Sequence, residues 1–175
     1  MTFAKGNRKD NKHYWLTPPE LYDKLNLEFD FDYDPCPYPK PDDYDGLTAE
    51  WGESNYVNPP FGSFIDEIRK KKNGPTIWAN KAITEFKKGK RVIFVYPIDK
   101  WVHKMIEAGA VIRNLKDIHW HSIEDNIKGP GTGRHVACFI LDPPDFKRTT
   151  KRKLKNLSHK QLLEKYNKQQ TINFK

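Results

Sequence analysis

Apolar positions along the chain fall into short blocks whose period changes from one block to the next. In TPPELYDKLNLEF (17–29), Leu21 and Leu25 share a helical face, with prolines in the first turn, Thr17 as expected N-cap and Glu20 at the capping-box position. FDFDYDP then alternates Phe29, Phe31 and Tyr33 with acids, which predicts a short strand at 29–34 closed by Pro35. Residues 36–50, rich in proline and aspartate, have no period and read as loop, and 54–58 read as a second strand. A helical stretch is expected at 63–71, a break at NGP (73–75), and a helix at 76–88 stopped by Gly89.

RVIFVYP (91–97) is apolar on both faces, the pattern of a strand in the middle of a covered sheet. WVHKMIEAG (101–109) predicts a helix, AVIRNL (110–115) a strand, and HVACFILD (135–142) a last strand reached through the glycine-rich KGPGTGR. Strands alternating with helices predict a three-layer α/β domain with a mainly parallel sheet, the last pair antiparallel. The boundaries expected are a loose segment at 1–12, a domain at 13–145, and a basic tail at 146–175 with a polar helix at about 158–168.

Charge is distributed unevenly along this order. Residues 1–62 carry six Lys/Arg against twelve Asp/Glu, whereas residues 146–175 carry ten against one. A basic terminus of that density fits a polyanion, because each neutralised phosphate releases counterions whatever the base sequence; a solvated lysine-rich end is the plainer alternative. Two isolated cysteines, Cys36 and Cys138, are too few for a disulfide framework or a zinc site, which points to a reducing, cytoplasmic setting. No apolar run reaches the roughly 18 residues of a membrane span, and the first residues lack a signal-peptide core.

The chemistry concentrates in YVNPPFG (56–62), a strand that runs into two prolines. An Asn-Pro-Pro-Phe segment at a strand end can be a simple turn. It also fits capture of a planar amino group: the Asn58 side-chain carbonyl and the Pro59 main-chain carbonyl accept its two N–H bonds, Pro59 and Pro60 fix the fork, and Phe61 offers a face for the ring. A target inside a duplex must then be flipped out of its stack.

WLTPPEL (15–21), FDFDYDPCP (29–37), Trp51 with NPPFG, and Lys81, Ala82, Gly89 and Pro97 together resemble the phage-type Dam-like DNA N6-adenine methyltransferases over about residues 13–142. The resemblance implies a reduced, Rossmann-like methyltransferase sheet with an antiparallel final strand pair, and S-adenosyl-L-methionine as cofactor. It implies cofactor contacts at Trp15, Thr17, Pro18, Asp34, Pro35, Cys36, Asp45 and Asn58, and capture of the target adenine by Asn58, Pro59, Pro60 and Phe61. It further implies DNA as partner and the cytoplasm of a prokaryotic or virus-infected cell as the setting.

The chain departs from the wider methyltransferase pattern in two places. DPCPYP stands where a glycine-rich turn follows the first strand, and LKDIHW stands where the family has a glycine-arginine loop. Lys81, Lys100, Trp101 and Arg134, placed near strand ends, are the expected DNA contacts, and a monomer is compatible with the chain's size. No metal site is expected, since His119 and His121 lack a third ligand. Asp34 and Asp45 also read as ordinary turn residues. The alternatives are a DNA-binding module of the same fold without turnover, and methyl transfer to cytosine N4, RNA adenine or a glutamine amide.

Overall fold

The computed structural model describes residues 15–62, 64–66, 71–122, 128, 129, 131, 133 and 135–147. Its elements are β1 (Trp15–Leu16), α1 (Pro19–Phe29), β2 (Ser54–Val57), β3 (Phe64–Asp66), β4 (Lys71–Asn73), α2 (Pro75–Lys87), β5 (Arg91–Pro97), α3 (Val102–Glu107), β6 (Val111–Lys116), β7 (His121–Ser122) and β8 (Val136–Leu141). The main sheet has the order β2-β5-β8-β6. β2 is parallel to β5, while β8 is antiparallel to both β5 and β6. Three strands therefore run one way, and the last of the described strands is inserted between two of them.

The double-sided apolar run of β5 does what its pattern requires. Val92, Phe94 and Tyr96 face one core together with Val57, Ala137, Phe139 and Leu141, and there Trp78, Ala79 and Ala82 of α2 and Met105 of α3 cover them. Ile93 and Val95 face a second core with Tyr56, Cys138 and Ile140, covered by Leu25 and Phe29 of α1. Helices thus lie on both faces of a mixed sheet. At about 25 cal/mol per Å² of apolar surface removed from water, these two cores supply most of the folding drive.

Four sequence expectations need correction. Thr17 does not cap α1: Pro18 occupies the cap position without a side-chain bond, and the Thr17 hydroxyl is hydrogen-bonded to the Tyr56 hydroxyl instead. The alternating 29–34 segment is not a strand, because α1 runs through Phe29 and ends on Asp30 in the left-handed region at φ 47°. The segment meets the sheet only along β2, through the Asp32 N–H on the Ser54 carbonyl and one parallel bridge from Tyr33 to Asn55.

The helix expected at 63–71 is replaced by the antiparallel pair β3 and β4, with Ile65 opposite Lys72. So few apolar residues fit either period, and length alone does not arbitrate. The sheet is less parallel than expected, since both ladders made by β8 are antiparallel. The helix expected at 158–168 and the tail lie outside the described residues.

Candidate active site

Because β2, β5 and β6 run the same way, their carboxyl ends share one edge of the sheet. Asn58 to Phe61 leave β2 there, and Ile98 to Trp101 follow β5. Ile118 to Trp120 follow β6, and Asp34 leaves the sheet beside β2, one residue past the Tyr33 bridge. Residues far apart in sequence are thereby brought to one place, the position where open α/β sheets bind ligands.

Asn58 is held by the start of the chain. Its Nδ2 donates to the Trp15 carbonyl at 3.1 Å, which fixes which way the amide points. The opposite atom, Oδ1, is buried and has no hydrogen-bond partner among the described residues. Trp15 and Leu16 are fixed in turn by β7, with Trp15 opposite Ser122 and Leu16 opposite His121.

Phe61 sits half-buried among aromatic rings. It stacks on Tyr96 at 5.1 Å with planes 21° apart, and meets Trp120 edge-on at 5.1 Å and 74°. The Tyr96 hydroxyl donates to the Pro60 carbonyl at 3.3 Å, so the last residues of β5 brace the two prolines. Among the described residues, nothing donates to the Pro59 carbonyl.

The acidic side of the edge is built from turns. Asp34 Oδ1 accepts the Cys36 N–H at 2.7 Å, and Asp45 Oδ1 accepts the Leu47 N–H at 2.9 Å, so both aspartates shape the backbone as turn residues. Gly46 lets these turns meet, since a Cβ there would fall 1.9 Å from the Pro35 carbonyl oxygen. Burial pushes the Asp34 carboxyl up to about 7 against a partial offset from the Cys36 N–H, and no cation among the described residues contributes. Burial, then the nearby Asp34 and Asp45 charges, pushes the Cys36 thiol well above its ordinary range and removes it as a nucleophile. Cys36 is half-buried, whereas Cys138 is fully buried, with its thiol pushed up to about 12 by desolvation.

The expected DNA contacts separate. Lys100 is exposed at the end of β5. Trp101 is 1 % exposed and packs against Phe94, Phe139 and Tyr96, so it belongs to the core and has no face for DNA. The Lys81 ammonium is engaged inside, donating to the Ala49 carbonyl at 3.0 Å and to Glu85 at 2.9 Å. Arg134 lies outside the described residues. No cluster of potential metal ligands occurs among the described residues.

Sequence reasoning missed Tyr96 and Trp120. Both were legible as aromatics directly preceding or closing an irregular strand end, in VYP and IHW, but nothing in their spacing tied them to Phe61. Comparison with protein-family models, with curated proteins and with solved structures finds no match for the chain. Among the described residues, no helix is long and apolar enough to cross a membrane.

Proposed function

We propose that the protein is an S-adenosyl-L-methionine-dependent methyltransferase acting on the N6 amino group of adenine in DNA, built on a reduced Rossmann-like sheet. The observation that carries this reading is Asn58. A buried amide oxygen without a donor costs roughly 1–3 kcal/mol, and such a group at a strand-end edge is suited to receive a donor from a ligand. Here the amide is locked by Trp15 so that the acceptor, not the donor, is left over. An amino group is the ligand that completes it.

Asn58 Oδ1 and the Pro59 carbonyl accept the two N–H bonds of the amino group. This draws its lone pair out of conjugation with the ring and toward the methyl donor. Neither acceptor is basic enough to keep the proton that nitrogen loses, so the proton passes to solvent. Phe61, fixed by Tyr96 and Trp120, holds the base ring. The reaction is a matter of orientation, and no enzyme nucleophile is needed.

The cofactor's contribution is an electrophilic methyl group on a sulfonium. Asp34 fits such a cationic ligand, since its carboxyl is desolvated at the strand-end edge without a cation to compensate it. Trp15, Thr17 and Pro18 flank the Asn58 side of the same edge through the Asn58–Trp15 and Thr17–Tyr56 bonds. Pro35, Cys36 and Asp45 form the turn beside Asp34. DNA is the proposed partner, gripped by Lys100 at the edge and by the basic tail.

Calorimetry with S-adenosyl-L-methionine tests the first half of the reading: binding is expected, and no heat would remove it. Sorting label from tritiated cofactor among DNA, RNA and protein tests the second. Label in N4-methylcytosine or in RNA would keep the fork and change the acceptor.

A further inference from the structure

The wall around Phe61 contains a second unpaired polar group. Trp120 is 2 % exposed, and its indole N–H has no hydrogen-bond partner among the described residues. Indole nitrogen donates and never accepts, so what is missing is an acceptor. Trp78 and Trp101 also carry unpaired indole N–H groups, but Trp78 lies on α2 and Trp101 packs into the Phe94 and Phe139 rings. Trp120 alone among the three packs directly on the Phe61 ring.

Trp120 is also fixed to the residues that orient Asn58. The Gly129 N–H donates to the Trp120 carbonyl at 2.7 Å. A Cβ on Gly129 would fall 2.6 Å from the Trp15 indole and 3.0 Å from that same carbonyl, so glycine lets these segments close without displacing the indole. Trp15, Asn58, Phe61 and Trp120 therefore form one contiguous wall, with an unpaired acceptor at Asn58 Oδ1 and an unpaired donor at Trp120 Nε1.

We infer that Trp120 is a specificity-determining residue, whose indole N–H donates to the ring nitrogen beside the amino group that Asn58 accepts. This deepens the proposed function and rests on it. An unpaired acceptor and an unpaired donor on one wall match an amidine edge, an amino group next to an unprotonated ring nitrogen, which adenine carries twice, as N6 with N1 and N6 with N7. A base offering a carbonyl and a ring N–H at that edge would face both groups with the wrong partner. Discrimination of this kind comes from leaving buried groups unpaired rather than from added attraction.

The test uses oligonucleotides whose target adenine is replaced by 1-deazaadenine or by 7-deazaadenine, methylated under single-turnover conditions by the wild-type protein and by Trp120→Phe. The wild type is expected to lose roughly 10- to 100-fold on one analogue and not the other, the worth of one buried donor left unpaired. Trp120→Phe should lose a similar factor on adenine and nothing further on that analogue. Equal penalties on that analogue in both proteins, or full wild-type activity on both analogues, would overturn the assignment of Trp120. If Trp120→Phe fails to bind cofactor, the two analogues on the wild type still decide. Absence of transfer by the wild type to any adenine overturns the underlying methyltransferase reading, a result distinct from the others.

Discussion

Asn58 answers two demands with one amide: its nitrogen is tied to Trp15 and its oxygen is left buried and unpaired. Asn58→Ala is therefore expected to abolish methyl transfer while leaving cofactor affinity within a few-fold; full activity in that variant would remove the mechanism. Phe61→Ala should weaken base capture by roughly 1–3 kcal/mol, the worth of one aromatic stack, seen as a raised KM. Asp34 gives a pH signature. Its folded pKa is raised from 3.8 to about 7 by burial, so the stability it contributes is complete below about 3.8 and is lost as pH rises through about 7. A bound cation favours the ionised form, so cofactor affinity should rise across the same window, and Asp34→Asn should flatten both dependences in denaturant titrations and calorimetry.

At the scale of elements, α2 is secured by a feature the sequence concealed. Glu85 is fully buried and is contacted by Lys81 and Lys88 at 2.9 Å and by Lys90 at 2.8 Å. Burial opposes its ionisation, but the hydrogen bonds from Lys88, Lys90 and Lys81 outweigh it and hold the carboxyl at about 2. Glu85→Ala, which strands the half-buried Lys81 and Lys90, should destabilise the fold by about 3–5 kcal/mol in a urea titration. In the wild type this contribution should be lost as pH falls from about 4.5 through about 2.

The reason Glu85 escaped notice is that a carboxylate in a lysine-rich helix looks solvated until the turn after α2 folds Lys90 back onto it. β5, α2, α3, β6 and β8 were legible because long apolar runs and Gly89 leave one period to choose. The segments at 29–34 and 63–71 were not, because a few apolar residues among charges satisfy a helix and a strand equally. NPPF read alone fits a turn as well as a site; its place after WLTPPEL and FDFDYDP and before RVIFVYP is what singles out Asn58 and Phe61 as candidates. Tyr96 and Trp120 were not, because only the parallel course of β2, β5 and β6 carries their strand ends to the same edge.

Across the whole molecule, charge and topology point the same way. The sheet gathers the candidate site on one edge, and the ten Lys/Arg of residues 146–175 add a strong positive potential to the chain. Removing residues 148–175 should weaken DNA binding at low salt and reduce its dependence on salt concentration, leaving cofactor binding unchanged. A mutant with the same salt slope as the full chain would place the phosphate contacts elsewhere. The central claim is that the edge built around Asn58 transfers a methyl group to adenine. Its most direct test is incubation of the purified protein with tritiated S-adenosyl-L-methionine and mixed-sequence DNA, followed by digestion to nucleosides. Label in N6-methyldeoxyadenosine, lost with Asn58→Ala, is the predicted result; label in no nucleoside, or label that survives Asn58→Ala, would contradict it.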